Sequence, residues 1–160
     1  MTGNSNVEIL ETKKVSLLVR TGLVVIFDSV KCADLPVKYD TKTFINLINV
    51  GQIFAFGIGG DGKISLEIRL IRSIEPVLLA KEYSKLSSST PVLNFKASQG
   101  NVTIGDYYGV DKNFKNMRLL DGESNFKVSA FSMTSGKYII VFCENNRNDN
   151  NVSDIPNLEL

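Results

Sequence analysis

Five aspartates stand where paired carboxylates could work: Asp28, Asp34 and Asp40 recur six residues apart, and Asp106 and Asp111 share one glycine-flanked stretch. Two carboxyl groups flanking a glycosidic bond can divide the general-acid role from that of base or nucleophile. Sugar sites usually want aromatic platforms, and the chain has no tryptophan. These residues are therefore expected to be solvated loop acids. Asp111, Asn113 and Asn116 supply oxygen ligands of the calcium-loop type, but the turn glycine and the terminal bidentate glutamate are missing at the required offsets. Gly57-Ile58-Gly59-Gly60-Asp61-Gly62 is glycine-rich like a phosphate-cradling loop. It lacks the Lys-Ser/Thr ending and leads into a strand pattern, so no helix N-terminus faces a phosphate. A hairpin turn is the expected role. Asn101-Val102-Thr103 and Asn151-Val152-Ser153 fit the glycosylation acceptor pattern, which is without consequence in a cytosolic protein.

The chain contains no histidine. The commonest general base, the commonest metal ligand and the usual partner of a serine or cysteine nucleophile are thereby removed. Ser-His-Asp, Cys-His and histidine-ligated metal chemistry are excluded, and no residue set signals a carboxylate, lysine or tyrosine mechanism. The reading is a non-enzymatic protein with no catalytic residues, no metal and no cofactor. Cys32 and Cys143 both adjoin apolar segments and read as small buried hydrophobes. A bridge between them requires Cα atoms within about 7 Å.

With 18 Lys and Arg against 17 Asp and Glu, the net charge is +1. That is too little to drive association with nucleic acid through counterion release or with an anionic membrane. The N-terminal stretch Met1 to Glu8 is polar, without a basic leader, and the apolar run Leu17 to Phe27 is interrupted by Arg20 and Gly22. A cytoplasmic location is expected, with reduced thiols.

The segment that stands out is Gly105-Asp106-Tyr107-Tyr108-Gly109-Val110. Two adjacent tyrosines between glycines cannot both enter one core. Tyrosine offers large contact area at low entropic cost and is enriched at interface hot spots. Asp106, Tyr107, Tyr108 and Asp111 are accordingly the candidate protein-binding residues, the acids favouring a basic partner surface.

The elements that must position this loop are strands. Ile64, Leu66, Ile68 and Leu70 alternate with Lys63, Ser65, Glu67 and Arg69, which predicts a strand with one face in the core and one in water. Gln52–Ile58 before the glycine run predicts its hairpin partner. Val15–Arg20, Thr21-Gly22 and Leu23–Asp28 predict a second hairpin. Leu93–Ala97, the turn Gln99-Gly100 and Val102–Ile104 carry the same signature. Phe126–Ala130, Thr134-Ser135-Gly136 and Lys137–Cys143 repeat it at the end. The last strand is apolar on both faces, with Tyr138, Ile140 and Phe142 expected in the core, and so belongs in the middle of a sheet. Asp40 caps a predicted helix over Thr41–Asn49, with Gly51 beyond its end and Phe44, Ile45 and Ile48 inward. Pro76–Leu86 is read as a strand leading into a Ser87–Pro91 loop.

About eight short strands with one short helix predict an all-β fold, an antiparallel β-sandwich or flattened barrel. At 160 residues the chain has the length of one domain, assigned to 1–143. Residues 144–160, opening with Glu144-Asn145-Asn146-Arg147-Asn148-Asp149-Asn150-Asn151, are expected to form a flexible polar tail with almost nothing to bury.

Leu23–Asp28, Asn49–Phe54, Gly60-Asp61-Gly62, Gly100–Asp106 and Ser135–Val141 together resemble segments of small bacterial β-rich immunity proteins, the cytosolic antidotes of secreted toxins. The closing glycine-led strand also resembles the end of the competence nuclease inhibitors. The resemblance implies a protein that binds and neutralises a cognate toxin. The alternatives are a structural, self-assembling module of a phage or secretion apparatus, for which strand density and an Asn-rich tail speak, and a small-ligand-binding β-domain.

Overall fold

The computed structural model describes residues 7–20, 22–29, 40–60, 62–97, 100–106, 113–118, 125–144 and 150–158. The fold is an all-β sandwich of two open sheets. The larger sheet contains β1 (Glu8–Val19), β4 (Gly62–Arg72), β10 (Tyr138–Glu144), β9 (Asn125–Met133) and β5 (Leu86–Ser89) in that order, with β6 (Leu93–Lys96) also paired to β9. The smaller contains β3 (Ile53–Gly57), β2 (Leu23–Asp28), β7 (Asn101–Asp106) and β8 (Asn113–Arg118).

The alternating patterns locate the strands but mislead about their partners. Val15–Arg20 and Leu23–Asp28, expected to form a hairpin, belong to different sheets: β1 pairs with β4, and β2 pairs with β3 and β7. The glycine run 59–62 likewise carries the chain from β3 in one sheet to β4 in the other, and Ala97–Gly100 carries it from β6 to β7. All three are arches between sheets rather than hairpins. A hairpin and an arch both need a residue at positive φ, supplied here by Gly22 (φ 70°) and Gly59 (φ 76°), so the same local chemistry serves either. The arches at Gly22 and Gly60 lie against each other, a Cβ on Gly22 falling 3.1 Å from the Gly60 carbonyl oxygen. The β9–β10 hairpin forms as expected, in register Tyr138↔Ser132 to Glu144↔Phe126.

Among the described residues, the named strands pair antiparallel with one exception. The exception is β10 alongside β4, parallel from Tyr138↔Leu66 to Cys143↔Ile71. The strand apolar on both faces does occupy the middle of its sheet, between β4 and β9. Its inward residues Tyr138, Ile140 and Phe142 join the core between the sheets with Leu66, Ile68 and Phe126. Its outward residues Ile139, Val141 and Cys143 form a second cluster with Leu78 and Phe131.

That outer cluster needs a cover, and Pro76–Leu86 provides it. Where a strand is expected, the segment holds a 3₁₀ helix over Ala80–Lys85, and β5 begins only at Leu86 and takes in Ser87 to Ser89 of the expected loop. The helix α1 (Thr41–Asn49) begins after Asp40 and buries Phe44 and Ile48 completely, while Ile45 is only half-buried. The Asp40 carboxylate accepts from the Thr43 hydroxyl rather than from a backbone N–H.

Residues 150–158, part of the segment expected as a tail, lie against α1 and β3. Apolar residues there are few but find a seat. Asn150 Nδ2 donates to the carbonyls of Ile48 (2.6 Å) and Asn94 (2.8 Å), and its Oδ1 accepts from Asn94 N–H (2.6 Å). Asn49 and Val152 exchange two further bonds. Gly57 N–H donates to Pro156 and its carbonyl accepts from Leu158 N–H, both at 2.8 Å. A Cβ at 57 would fall 1.9 Å from the Asn157 side-chain oxygen, so a larger residue there would push that side chain aside. Leu158 ends 1% exposed in the main core. Leu158→Ala should therefore cost about 2 kcal/mol in urea unfolding, whereas a loss within a few tenths of a kcal/mol would mean that the segment is not seated in solution.

Candidate functional site

On β4 the residues expected in water are not all there. Lys63 and Ser65 are exposed, but Glu67 and Arg69 are 6% and 5% exposed, beneath the cover formed by the 3₁₀ helix. A buried ionised group requires partners. Arg69 Nε donates to Glu67 Oε2 at 2.6 Å, and its two terminal nitrogens donate to the two Glu82 oxygens, each at 2.7 Å. This fork is the bidentate geometry that guanidinium and carboxylate favour. Glu82 Oε1 also accepts from the Leu79 N–H at 2.9 Å, closing the start of its own helix. Lys137 reaches Glu67 Oε1 at 2.6 Å from the entrance of β10.

The network sets its own protonation. Burial pushes the Glu67 carboxyl upward, but hydrogen bonds from Lys137 and Arg69, and their charges, outweigh it and leave its pKa below the usual 4.5. For Glu82 the Arg69 hydrogen bonds are the largest influence and again lower the pKa, against burial. The Glu82 hydrogen bonds raise that of Arg69. Two cations and two anions fixed in this way clamp the 3₁₀ helix onto the sheet. All four are committed to one another, an arrangement suited to structure rather than proton transfer.

The sequence-predicted binding residues lie elsewhere. Asp106 ends β7 in the smaller sheet, opposite Val24 of β2 and Asn113 of β8. It is fully buried, and its Oδ2 accepts from the Arg20 N–H at 2.9 Å, tying β7 to the end of β1. Tyr107, Tyr108 and Asp111 lie outside the described residues, as do Asp34, Cys32 and Asp61. Asp28 and Asp106 are not the solvated loop acids expected: both are strand residues, 2% and 0% exposed. They stand at opposite ends of the paired strands β2 and β7, so they form no carboxylate pair. Cys143 is a free thiol whose pKa burial pushes up to about 12, which keeps it protonated and unreactive.

Glu82 and Lys137 were not singled out by sequence reasoning. A signal existed. Ile139, Val141 and Cys143 make the outer face of β10 apolar, and an apolar outer face demands a covering segment. Any charges on the neighbouring strand then come under the same cover and need partners within it. The helical spacing of Leu79, Tyr83 and Leu86 marked the segment that covers.

No protein-family model and no curated protein matches the sequence. Among solved structures, the fold is similar to that of a protein described as crocagin biosynthetic gene J, with a TM-score of 0.63 and 11% identity, over 85% of this chain and 98% of that one. It is also similar to ComJ of Bacillus subtilis, described as an inhibitor of the DNA-degrading activity of NucA, with a TM-score of 0.55 and 14% identity, over 87% of this chain and 98% of ComJ. At such identities the likeness is one of fold. The resemblance of the Ser135–Val141 closing strand to competence nuclease inhibitors thus extends to the architecture around it. Among the described residues, no helix is long and apolar enough to cross a membrane.

Proposed function

We propose that this chain is a non-enzymatic, protein-binding inhibitor: a bacterial cytoplasmic antidote that neutralises a cognate toxin, with a nuclease as the first class of target. The supporting observation is the whole-length fold likeness to ComJ, which inhibits a nuclease and is itself spanned over 98% of its length. The absence of histidine and the commitment of Glu67, Arg69, Glu82 and Lys137 to one another agree with a protein that acts by covering a partner.

The direct test mixes the purified chain with the nuclease or toxin encoded beside its gene and follows degradation of DNA. Stoichiometric inhibition, with a 1:1 complex by gel filtration, is the expected result. Undiminished degradation in the presence of excess protein, with no complex, refutes the reading.

The proposed epitope is the connection that follows Asp106, carrying Tyr107, Tyr108 and Asp111 between two paired strands of the smaller sheet. Asp106, held by Arg20, anchors its base. Tyr107→Ala and Tyr108→Ala are expected to separate. One weakens partner binding by about 2 kcal/mol with folding intact, and the other lowers the melting temperature instead. Asp111→Asn should slow association and reduce its salt dependence. Unchanged affinity in both tyrosine variants places the epitope elsewhere.

A further inference from the structure

Because β4 and β10 run parallel, both begin at the same end of the larger sheet. The arch at Gly59 and Gly60 leads into one and the turn Thr134-Ser135-Gly136 into the other. Between these entrances lies a cleft of ≈ 430 Å³, within the size range of small-molecule sites. Ile58, Ile64 and Tyr138 line it together with Lys63 and Lys137. Gly59, Gly60 and Gly136 leave open space where other residues would place a Cβ.

Two of these side chains lack partners within the described residues. Lys63 is exposed and makes no ion pair there, in contrast to Lys137, which is held by Glu67. Tyr138 is 3% exposed, packs its ring 6.5 Å from Phe56, and makes no hydrogen bond there through its hydroxyl. The hydroxyl is not among the buried oxygens left without a partner, Glu11 Oε1 and Asn125 Oδ1, so it opens to the cleft that Tyr138 lines. Burial raises the Tyr138 pKa, so the phenol remains a neutral O–H donor. A phenolic O–H open to the cleft, an exposed cation with no ion pair among the described residues and an apolar lining from Ile58 and Ile64 thus share one cleft.

We propose that this cleft binds a small organic anion, a carboxylate or phosphate ester on an apolar body, with Lys63 and the Tyr138 hydroxyl taking the oxyanion and Ile58 and Ile64 the apolar part. The site is independent of the inhibitor reading and stands or falls separately from it. Amide NMR titration of the full chain with benzoate and with phenyl phosphate tests it, with benzyl alcohol as the neutral counterpart of the same size. Saturable shifts at Ile58–Ser65 and Ser135–Tyr138 are expected with at least one anion and not with the alcohol; which anion binds tighter distinguishes carboxylate from phosphate. Lys63→Ala and Tyr138→Phe should each weaken the binding about tenfold, the loss of one charge-assisted hydrogen bond. Tyr138→Phe retains the ring and its packing, and an otherwise unchanged spectrum verifies its fold. Lys42→Ala, on α1 and away from the cleft, should bind as the parent does. Saturation by neither anion, equal binding of benzyl alcohol, or unchanged affinity in either cleft variant overturns the proposal.

Discussion

Phe142→Ala is expected to lower the unfolding free energy by about 3–5 kcal/mol, the cost of removing a fully buried phenyl ring and leaving a cavity that its neighbours cannot close. Phe142 is 0% exposed and sits on β10, between β4 and β9, with the smaller sheet across the core. Its ring meets Phe126 edge-on at 5.7 Å and Phe95 at 6.1 Å. Those two rings come from β9 and β6, so the aromatic cluster joins three strands. Collapse into the cavity is resisted on both sides: β10 is hydrogen-bonded to two strands, and its outer face is held by Leu78 and Phe131 over Val141. Urea unfolding of the variant measures the effect. A loss below about 1 kcal/mol would contradict a central position for β10, since peripheral sites relax around such deletions.

Arg69→Met should cost about 3 kcal/mol near neutral pH, because it leaves the Glu67 carboxylate on β4 and the Glu82 carboxylate on the 3₁₀ helix without their shared cation. The value lies at the low end for a broken buried ion network. Lys137 still holds Glu67, and the Glu82 side chain retains 17% exposure. The pH dependence identifies the cause. Glu67 and Glu82 both titrate below 4.5 in the folded protein, so their contribution is complete above that value and is lost as the pH falls through their folded pKa values. In the variant the main influence lowering Glu82 is gone, and burial then pushes Glu67 upward. Protonation consequently relieves the variant while it weakens the parent, and the gap between them should narrow steadily as the pH drops below 4.5. Denaturation curves from neutral to acid pH check this. A gap that stays constant would assign the loss to packing of the arginine stem rather than to charge. Pairing Arg69→Met with Glu82→Gln should cost clearly less than the sum of the single changes, because the second removes the anion that the first leaves unpaired.

How far the sequence could be read depended on the range of the interaction involved. Strand positions were legible where period-2 alternation runs along the sequence, as at Ile64 to Leu70 and Phe126 to Ala130, although at Glu67 and Arg69 it did not report burial. The helix Thr41–Asn49 was legible because its start and end signals lie within a few residues, and the central place of β10 because both of its faces are apolar. The pairing of strands was not legible from turn chemistry. Gly22 and Gly59 satisfy a positive φ equally well in a hairpin and in an arch, and nothing local says whether the next strand returns beside its predecessor or crosses to the opposite sheet. Among the candidate site residues, composition marked Asp106 as part of a loop surface, whereas its carboxylate is drawn inward by the N–H of Arg20, 86 residues away.

By itself, then, the sequence determined an all-β chain without histidine chemistry, the location of most strands and one helix, and the residues of the closing strand that fill the core. Those properties depend on residue type and on spacing along a few turns or pleats. The tertiary structure alone decided that β4 and β10 lie parallel, that Glu67 and Arg69 are buried rather than wet, that Leu158 is seated in the core, and that Lys63 and Tyr138 share a cleft. Each of these joins segments far apart in the chain, and each is settled by what must cover what: an apolar outer face by the 76–86 segment, a glycine backbone at 57 by the C-terminal residues. Local spacing carries no record of such cover, because the free energy that selects it is released only when the distant surfaces meet.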